Sequence, residues 1–292
     1  MKTVKKAISK KYIVLGVIIL VLVGLLLLAL LVDWDAMRPD APESDISGDL
    51  SDAVLHEEKK ISLFGWAVNP AAISAIAVSL ILIIFAVCVR VFAVPRFKEV
   101  PGKFQLVIEK IVEFFDGLAK NNSPHSNGFL GCYIFSAGCY ICIGTLFELL
   151  GVQWTATNGA TVSLPAPLSD INAAIAMGCM SYLVILGGGI IKSGGRGLGK
   201  ALKEFSLPIS MSFRLFGALL SGLLVTELVY YYIALSVVLP VIVGVLFTLL
   251  HALIQTYVLV VLTATYFGEV TEPHAVNPDK KKKKRRAAAQ AA

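Results

Sequence analysis

Residues Pro70 to Phe92 have the sequence PAAISAIAVSLILIIFAVCVRVF, a continuous apolar stretch in which Arg90 is the only charged residue. A helix that crosses the hydrocarbon core of a bilayer needs about 20 mostly apolar residues, and this stretch is long enough. Apolar and aromatic residues make up 57% of the 292 residues, and charged residues make up 16%. Ordinary soluble domains have about 25% charged residues. The sequence therefore predicts an all-α, polytopic membrane protein.

About six transmembrane helices account for the apolar stretches of the chain. Besides residues 70–92 they are Tyr12–Val32, Phe129–Val152, Ile171–Ile191 and two helices within Leu207–Phe267. Pro240 is the expected break between these last two helices, because proline disrupts a helix interior. An even number of spans leaves both termini on the same side of the membrane.

The charges between the spans predict the orientation of the chain. Lysines precede the first span, whereas Asp33 and Asp35 follow it. The later basic clusters lie at 90–103, 192–203 and 280–286, and each of them falls on the same side as the N-terminus. Cytoplasmic loops carry an excess of Lys and Arg. We therefore predict that both termini are cytoplasmic.

The chain divides into four predicted regions. They are a transmembrane anchor or signal-like segment (1–35), an acidic external loop with little structure (36–68), a membrane domain (69–272) and a basic cytoplasmic tail (273–292). A retained anchor is favoured over a cleaved signal peptide, because the apolar run is longer than the apolar region of a signal peptide, which usually has about 7–15 residues. The tail is either simply solvated or binds anionic lipid.

One helix is predicted at the membrane surface rather than across it. In Lys103–Lys120, apolar residues recur at helical spacing against charged and amide residues. Such an amphipathic helix lies at the cytoplasmic membrane surface or against a partner protein.

Two charged residues fall inside the last apolar region. An Arg at the centre of a membrane helix costs between about 2.5 and 17 kcal/mol, so Arg214 is a functional candidate. The alternative is that its long side chain reaches the interface. Glu227 follows thirteen residues later, which at 100° per residue places it about 220° around the helix. The two charges therefore point to different sides and are not a simple ion pair.

The last helix has a polar stripe on one face. At spacings of three, four and seven residues it contains Gly244, Thr248, His251, Gln255, Leu262 and Tyr266. His251 could equally be a hydrogen-bonded packing residue. Glu148, Asp170 and Asn172 lie near the predicted external ends of two spans, where they either face water at the interface or line a channel.

Several other functional classes are not supported by the sequence. The five cysteines lie in apolar runs, and the C-x-x-C of Cys139 and Cys142 has no second pair of ligands nearby, so we expect no disulfide framework, metal or cofactor. The net charge of +6 comes largely from the Lys280–Arg286 block, so a nucleic-acid-binding surface is not indicated. The motifs H-E-x-x-H and G-x-S-x-G are absent, which argues against an intramembrane enzyme.

Four strings of residues together resemble one protein family. They are RLFGALLSG from Arg214, LIQTYVLVVLTATYFGE around Gln255, VPGKFQ at 100–105 and PLSDIN at 167–172. In their order along the chain they resemble subunit a of the F-type ATP synthase, the membrane stator beside the rotating c-ring. The resemblance covers residues Trp66–Glu272 and implies five spans of that type, with the N-terminal span as an addition.

The resemblance implies roles for individual residues. Arg214 corresponds to the family's essential arginine, and Gln255 to the glutamine that faces it from the adjoining helix. The chain departs from the family at three positions. The family usually has an Asn where this chain has Ala218, bacterial members commonly have an acid at Leu223, and some members have an ionisable group at Thr248. The segment before RLFG is also about twenty residues shorter than usual.

Two other residues are the nearest substitutes for the missing ionisable groups. Glu227 lies one turn beyond Leu223, and His251 lies close to Thr248. The expected ion-translocating set is therefore Arg214, Gln255, Glu227 and His251. The expected half-channel lining is Glu148, Asp170, Asn172, Ser221 and Thr248.

The function implied by the resemblance is that of a non-catalytic, proton- or Na⁺-translocating stator subunit in a bacterial inner membrane. Its implied partners are the c-ring, the b subunits of the peripheral stalk and membrane lipid. A secondary transporter that binds an anionic substrate through Arg214 is the alternative function.

Overall fold

A computed structural model describes residues 24, 61–63, 66–125, 127–155, 161–231 and 239–272. Within these residues there are six α-helices and four three-residue strands. The helices are α1 (Pro70–Cys88), α2 (Lys103–Asn122), α3 (Gly128–Phe147), α4 (Ile171–Lys203), α5 (Ser206–Tyr231) and α6 (Leu239–Thr271). The predicted N-terminal span and the basic tail lie outside the described residues, apart from Gly24.

Five of these helices are long and apolar enough to cross a membrane. The candidate spans are Pro70–Arg96, Gly128–Leu150, Ile171–Lys203, Ser206–Thr226 and Ile242–Thr271. The first of them extends α1 through a π-helical turn at Val89–Ala93 and a 3₁₀ turn at Val94–Arg96. The predicted all-α polytopic fold is confirmed for this part of the chain.

Two short β-hairpins precede α1 and α4. Strands β1 (Ile61–Leu63) and β2 (Trp66–Val68) pair antiparallel, as do β3 (Gln153–Thr155) and β4 (Thr161–Ser163). The first hairpin lies in the end of a region that was predicted to have little structure of its own.

The chain forms two compact units, and the first of them comprises residues 1–90, 139–174 and 212–256. Its core contains Ile61, Val78, Phe147 and Leu164, all of which are buried. α3 packs closely here, because a Cβ added at Gly144 would lie 3.4 Å from the ring of Pro167.

The second unit comprises residues 91–138, 175–211 and 257–292. Phe115 of α2 is buried there and meets the ring of Phe135 edge to face, at 5.5 Å between ring centroids. Gly138 leaves room for the same Phe115 ring, which a Cβ at that position would strike. Small residues therefore allow α2 and α3 to approach closely in this unit.

Helix α4 folds back on itself at a glycine. Gly194 has φ 59° and ψ −141°, a conformation that is not helical. The Tyr182 hydroxyl donates a hydrogen bond of 3.0 Å to the carbonyl oxygen of Ala201. In an uninterrupted helix these residues would be about 28 Å apart. The membrane-crossing part of α4 therefore ends close to the predicted Ile191, and residues 195–203 form a short returning helix.

Pro240 lies in the first turn of α6 and not in the connection before it. Proline fits this position because its missing N–H would have no helical partner there. The connection itself, residues 232–238, lies outside the described residues.

Helix α2 is amphipathic, as the sequence predicts. Its N-terminal half exposes apolar side chains such as Phe104 and Val107, and its buried residues are Phe115 and Ala119 near the other end. On the polar side, Lys110 Nζ lies 2.8 Å from a carboxylate oxygen of Glu113. Their hydrogen bond, reinforced by charge attraction, raises the pKa of Lys110 and lowers that of Glu113.

Candidate functional site

Arg214 lies on the exposed side of α5, near the start of the helix. Its neighbours Ser212 and Leu215 are buried, whereas Phe213 is 64% exposed. Gly217 and Ser221 are also exposed, and at 100° per residue both lie within about 60° of Arg214 around the helix. Arg214 is therefore surrounded by small residues on a face that could admit another helix closely.

Arg214 makes no hydrogen bond or ion pair with any other described residue. The hydroxyl of Ser221, by contrast, donates to the carbonyl oxygen of Ala218 at 2.8 Å, a bond within the helix. The guanidinium group is thus available to a group that comes from outside the described chain.

A cavity of about 160 Å³ lies in the first unit, where α5, α6 and the end of α3 come together. Its walls mix apolar, small and polar residues. They are Glu148, Leu149, Ala218, Leu219, Gly222, Thr226, Gly244, Phe247, Thr248 and His251. Each water molecule takes about 30 Å³ in the liquid, so the cavity has room for several.

The polar groups of the cavity come from three elements. Glu148 begins the 3₁₀ turn that ends α3, Thr226 comes from α5, and Thr248 and His251 come from α6. The Nε2 atom of His251 is buried and has no hydrogen-bond partner among the described residues. Thr226 donates to the carbonyl oxygen of Gly222 at 2.9 Å and keeps its lone pairs available to accept.

The cavity brings together part of the predicted site. Glu148, Thr248 and His251 line it, whereas Arg214 and Gln255 do not. Each of them is close in sequence to a residue that lines the cavity. Ala218 is one turn beyond Arg214, and His251 is one turn before the buried Gln255. The cavity is therefore one helical turn from each of them.

Asp170 and Asn172 lie at the start of α4, outside the cavity. One carboxylate oxygen of Asp170 accepts from the backbone N–H of Asn172 at 2.7 Å. The other accepts from the side-chain amide of Asn69 at 2.5 Å, and Asn69 itself caps α1 through the N–H of Ala71. Asp170 thus links the N-terminal caps of two helices.

The side chain of Glu227 is not among the described ones, so its predicted role stays a prediction. Its neighbour Thr226 lines the cavity, together with Gly222 and Ala218. Gly222 and Thr226 were not among the predicted lining residues. Ala218, Gly222 and Thr226 follow one another at intervals of four residues, which places small side chains along one face of α5. That pattern is the signal that could have identified them.

The described residues contain no group of three or more His, Cys, Asp or Glu side chains that could hold a metal ion. Cys139 and Cys142 are both partly buried free thiols in α3. The described part of the chain therefore offers no three-ligand metal site.

Known proteins are similar to this chain in sequence. The family model described as "ATP synthase A chain" matches residues 72–268. The ATP synthase subunit a of Histophilus somni strain 2336 is 29% identical over 209 residues, which cover 58% of this chain and 76% of the relative. The protein of the same name from strain 129Pt is 28% identical over the same length. Since the family match covers more than half of the chain, from the first turn of α1 to the last turn of α6, this chain belongs to the ATP synthase A chain family.

Proposed function

We propose that this chain is the stator subunit that carries protons or Na⁺ past a rotating c-ring in the membrane sector of an ATP synthase. Membership of the family makes the chain a membrane subunit of that complex. The observation that carries the finer proposal is Arg214, which lies unpaired among the described residues on an exposed, small-residue face of α5.

The physical role of Arg214 follows from charge in a low dielectric. A guanidinium close to a carboxylate of the ring favours the ionised carboxylate and so drives the release of its bound ion. The same positive charge repels a cation that would pass straight across the membrane. Each elementary charge carries about 2.3 kcal/mol per 100 mV, so such a leak would waste the gradient. Arg is suited to this site because it keeps its proton where Lys could lose it.

The ion reaches the ring carboxylate through one aqueous half-channel and leaves it through a second, with Arg214 between the two. Support for one of them comes from the cavity lined by Glu148, Thr248 and His251, which ends one turn from Arg214 along α5. Gln255 faces Arg214 from α6. Glu227 and His251 replace the ionisable groups that the family usually has.

The chain itself catalyses no reaction in this account. Its partners are the c-ring, the b subunits of the peripheral stalk and lipid of a bacterial inner membrane, with the C-terminus in the cytoplasm. The amphipathic α2 lies at the cytoplasmic surface, where its exposed apolar face meets lipid headgroups or the stalk.

A photo-cross-linking experiment tests the contact with the ring. The photoreactive phenylalanine analogue p-benzoylphenylalanine is introduced at Phe213, which is adjacent to Arg214 and 64% exposed. After illumination of native membranes, the cross-linked product is identified by mass spectrometry. We expect a product with a c subunit.

The matched control is the same analogue at Phe85 of α1, which is 54% exposed. It should give no c-subunit product. If Phe213 cross-links only to lipid, or if both positions react equally with the ring, the proposed interface is wrong.

A further inference from the structure

The short returning helix at the end of α4, residues 195–203, carries a stripe of basic side chains. Arg196, Lys200 and Lys203 follow one another at intervals of four and three residues. At 100° per residue they lie within about 60° of one another around the helix, and they extend about 10 Å along it. No Asp or Glu occurs within residues 195–203, so this face of the helix is positive only.

The other side of the returning helix is packed against the protein. Gly197 and Ala201 are buried, and a Cβ at Gly197 would strike the backbone carbonyl of Gly189. These two buried residues lie about 100° and 140° around the helix from Arg196. Arg196 and Lys203 are exposed. The packing therefore holds the helix with its basic stripe facing away from the protein.

The charges of the stripe are not neutralised by any carboxylate among the described residues. The ion pairs in that part of the chain join residues of α2 to each other, and neither Glu204 nor the acidic residues at the end of α6 pair with the stripe. Lys200 Nζ donates to the backbone carbonyl oxygen of Glu269 at 3.0 Å, which leaves its charge uncompensated and two of its three donors available. Arg196 and Lys203 make no hydrogen bond with any described residue.

Large apolar side chains are exposed before, within and after the returning helix. Ile191, at the end of the preceding span, is 81% exposed, and Phe205, just before α5, is 63% exposed. Leu202 of the helix itself is more than half exposed. Basic side chains beside exposed apolar ones are typical of helices at the membrane interface, where the apolar groups meet acyl chains and the cations meet headgroups.

We infer that the returning helix of α4 binds an anionic phospholipid. Arg196, Lys200 and Lys203 hold its phosphate, and its acyl chains lie against Leu202 and Phe205. The inference rests on the proposed function, because it takes this end of α4 to be at the cytoplasmic surface, and it names the class of lipid and the residues that bind it. α5 begins three residues after Lys203, so the bound headgroup holds the start of α5 at the membrane surface.

The chemistry of the stripe favours a phosphate group with a net negative charge. A guanidinium binds two phosphate oxygens in a fork, and an ammonium adds a point charge with further donors. The choline group of a zwitterionic lipid would bring a cation toward three cations. Anionic lipids of the cytoplasmic leaflet, by contrast, attract clusters of Lys and Arg next to membrane spans.

The exposed apolar residues favour a lipid over a soluble phosphate compound. A soluble phosphate would meet the three cations but would leave Leu202 and Phe205 in contact with water. A phospholipid satisfies both parts of the surface at once, because its phosphate and its acyl chains are joined in one molecule.

The test uses complete ATP synthase containing this chain, reconstituted in liposomes of one fixed composition. The liposomes contain a trace of phosphatidylglycerol with a photoactivatable acyl chain or, in a parallel sample, phosphatidylcholine with the same chain. After illumination, lipid-modified peptides are quantified by mass spectrometry. Phosphatidylglycerol should label residues 195–209 at least about fivefold more than phosphatidylcholine, since a single basic residue near an anionic surface already has an effect of that size.

The variant of the stripe removes one arginine and two lysines, by Arg196→Gln, Lys200→Gln and Lys203→Gln. It should lower labelling by phosphatidylglycerol to the level of phosphatidylcholine. The matched control removes the same residue types at exposed positions around the connection between α1 and α2, by Arg96→Gln, Lys98→Gln and Lys103→Gln. The control should be labelled like the parent.

Two further variants separate lipid binding from damage to the fold. Arg196→Gln with Lys203→Gln keeps Lys200 and its bond to α6, and it should still lose most of the preference for phosphatidylglycerol. Arg196→Lys with Lys203→Arg keeps the charges and should keep the preference. The content of c-ring and the rate of ATP hydrolysis are measured in every preparation, so that failed assembly is recognised.

The outcomes separate the lipid site from the function on which it rests. Equal labelling by the two lipids, or unchanged labelling of the stripe variant, overturns the site. Loss of labelling on addition of inorganic phosphate, with chloride at the same ionic strength as the control, shows a site for soluble phosphate and also overturns it. In each case, loss of coupling in Arg214→Ala would still support the stator function. Normal pumping by Arg214→Ala would overturn the stator function, whatever the labelling shows.

Discussion

At the scale of single residues, Asp170 shows how one carboxylate can join two helices. Its two oxygens accept hydrogen bonds from the N–H of Asn172 and from the amide of Asn69. Because Asn69 is also the N-cap of α1, the starts of α1 and α4 are held together within the first unit. The sequence predicts that Asp170 either faces water at the interface or lines a channel, and the bonds of both oxygens give it a structural role as well.

We predict that Asp170→Ala lowers the stability of the protein by about 1–3 kcal/mol, because it removes a helix cap and leaves the Asn69 amide without its acceptor. The measurement is the thermal unfolding midpoint of the detergent-purified complex. Asn69→Ala and the double variant complete the cycle. The two single effects should add to more than the double effect, and strictly additive effects would show that the bond between the two side chains contributes nothing.

At the scale of elements, the turn in α4 is the feature that the sequence analysis missed. Basic residues at 192–203 were interpreted as a loop that fixes orientation, which the positive-inside rule favours. The segment SGGRGLG at 193–199 contains the relevant signal, since Gly194 adopts positive φ and the chain returns as a helix. Hydropathy cannot distinguish an aqueous loop from a short basic helix that packs back on its neighbour.

The close approach within this turn makes a specific prediction about two glycines. A Cβ at Gly197 would strike the backbone carbonyl of Gly189, whereas a Cβ at Gly199 would meet nothing within 4 Å. Gly197→Ala should therefore lower stability by about 1–3 kcal/mol through overpacking. Gly199→Ala should leave stability unchanged or raise it by about 0.5–1 kcal/mol, because alanine favours a helix.

Both variants are compared with the parent by thermal unfolding of the purified complex. Lys200 also ties the returning helix to α6, because its Nζ donates to the carbonyl oxygen of Glu269 at 3.0 Å, near the end of α6. If Gly197→Ala and Gly199→Ala unfold at the same temperature, the helical return of residues 195–203 is wrong.

At the scale of the whole molecule, each of the described spans leaves most of its hydrophobic window unburied. Only 11% of the hydrophobic window of the α1 span is buried, and Ile84 in the middle of α1 is 61% exposed. In a bilayer such a surface needs no protein cover, because lipid is as apolar as the side chains. The composition therefore predicted the fold class and the described spans well, since both depend on the bilayer more than on packing detail.

The candidate site could be predicted from the sequence only in part. The stripe on α6 identified Thr248 and His251, because helical periodicity alone brings them to one face. Glu148, Gly222 and Thr226 line the same cavity as α6 because three elements pack together there. The periodicity of a single helix gives no information about such packing. Sequence placed Arg214 in a membrane helix, but only the burial of its neighbours shows which side of α5 it occupies.

The most direct test of the central claim is ATP-driven ion pumping by the complex with Arg214→Ala. Pumping of H⁺ or Na⁺ is measured in membrane vesicles, together with ATP hydrolysis by the catalytic head. Arg96→Ala, which removes an exposed arginine at the end of the first described span, is the control. We predict that Arg214→Ala abolishes pumping while hydrolysis persists and the control pumps normally. Full coupled pumping by Arg214→Ala would contradict the account.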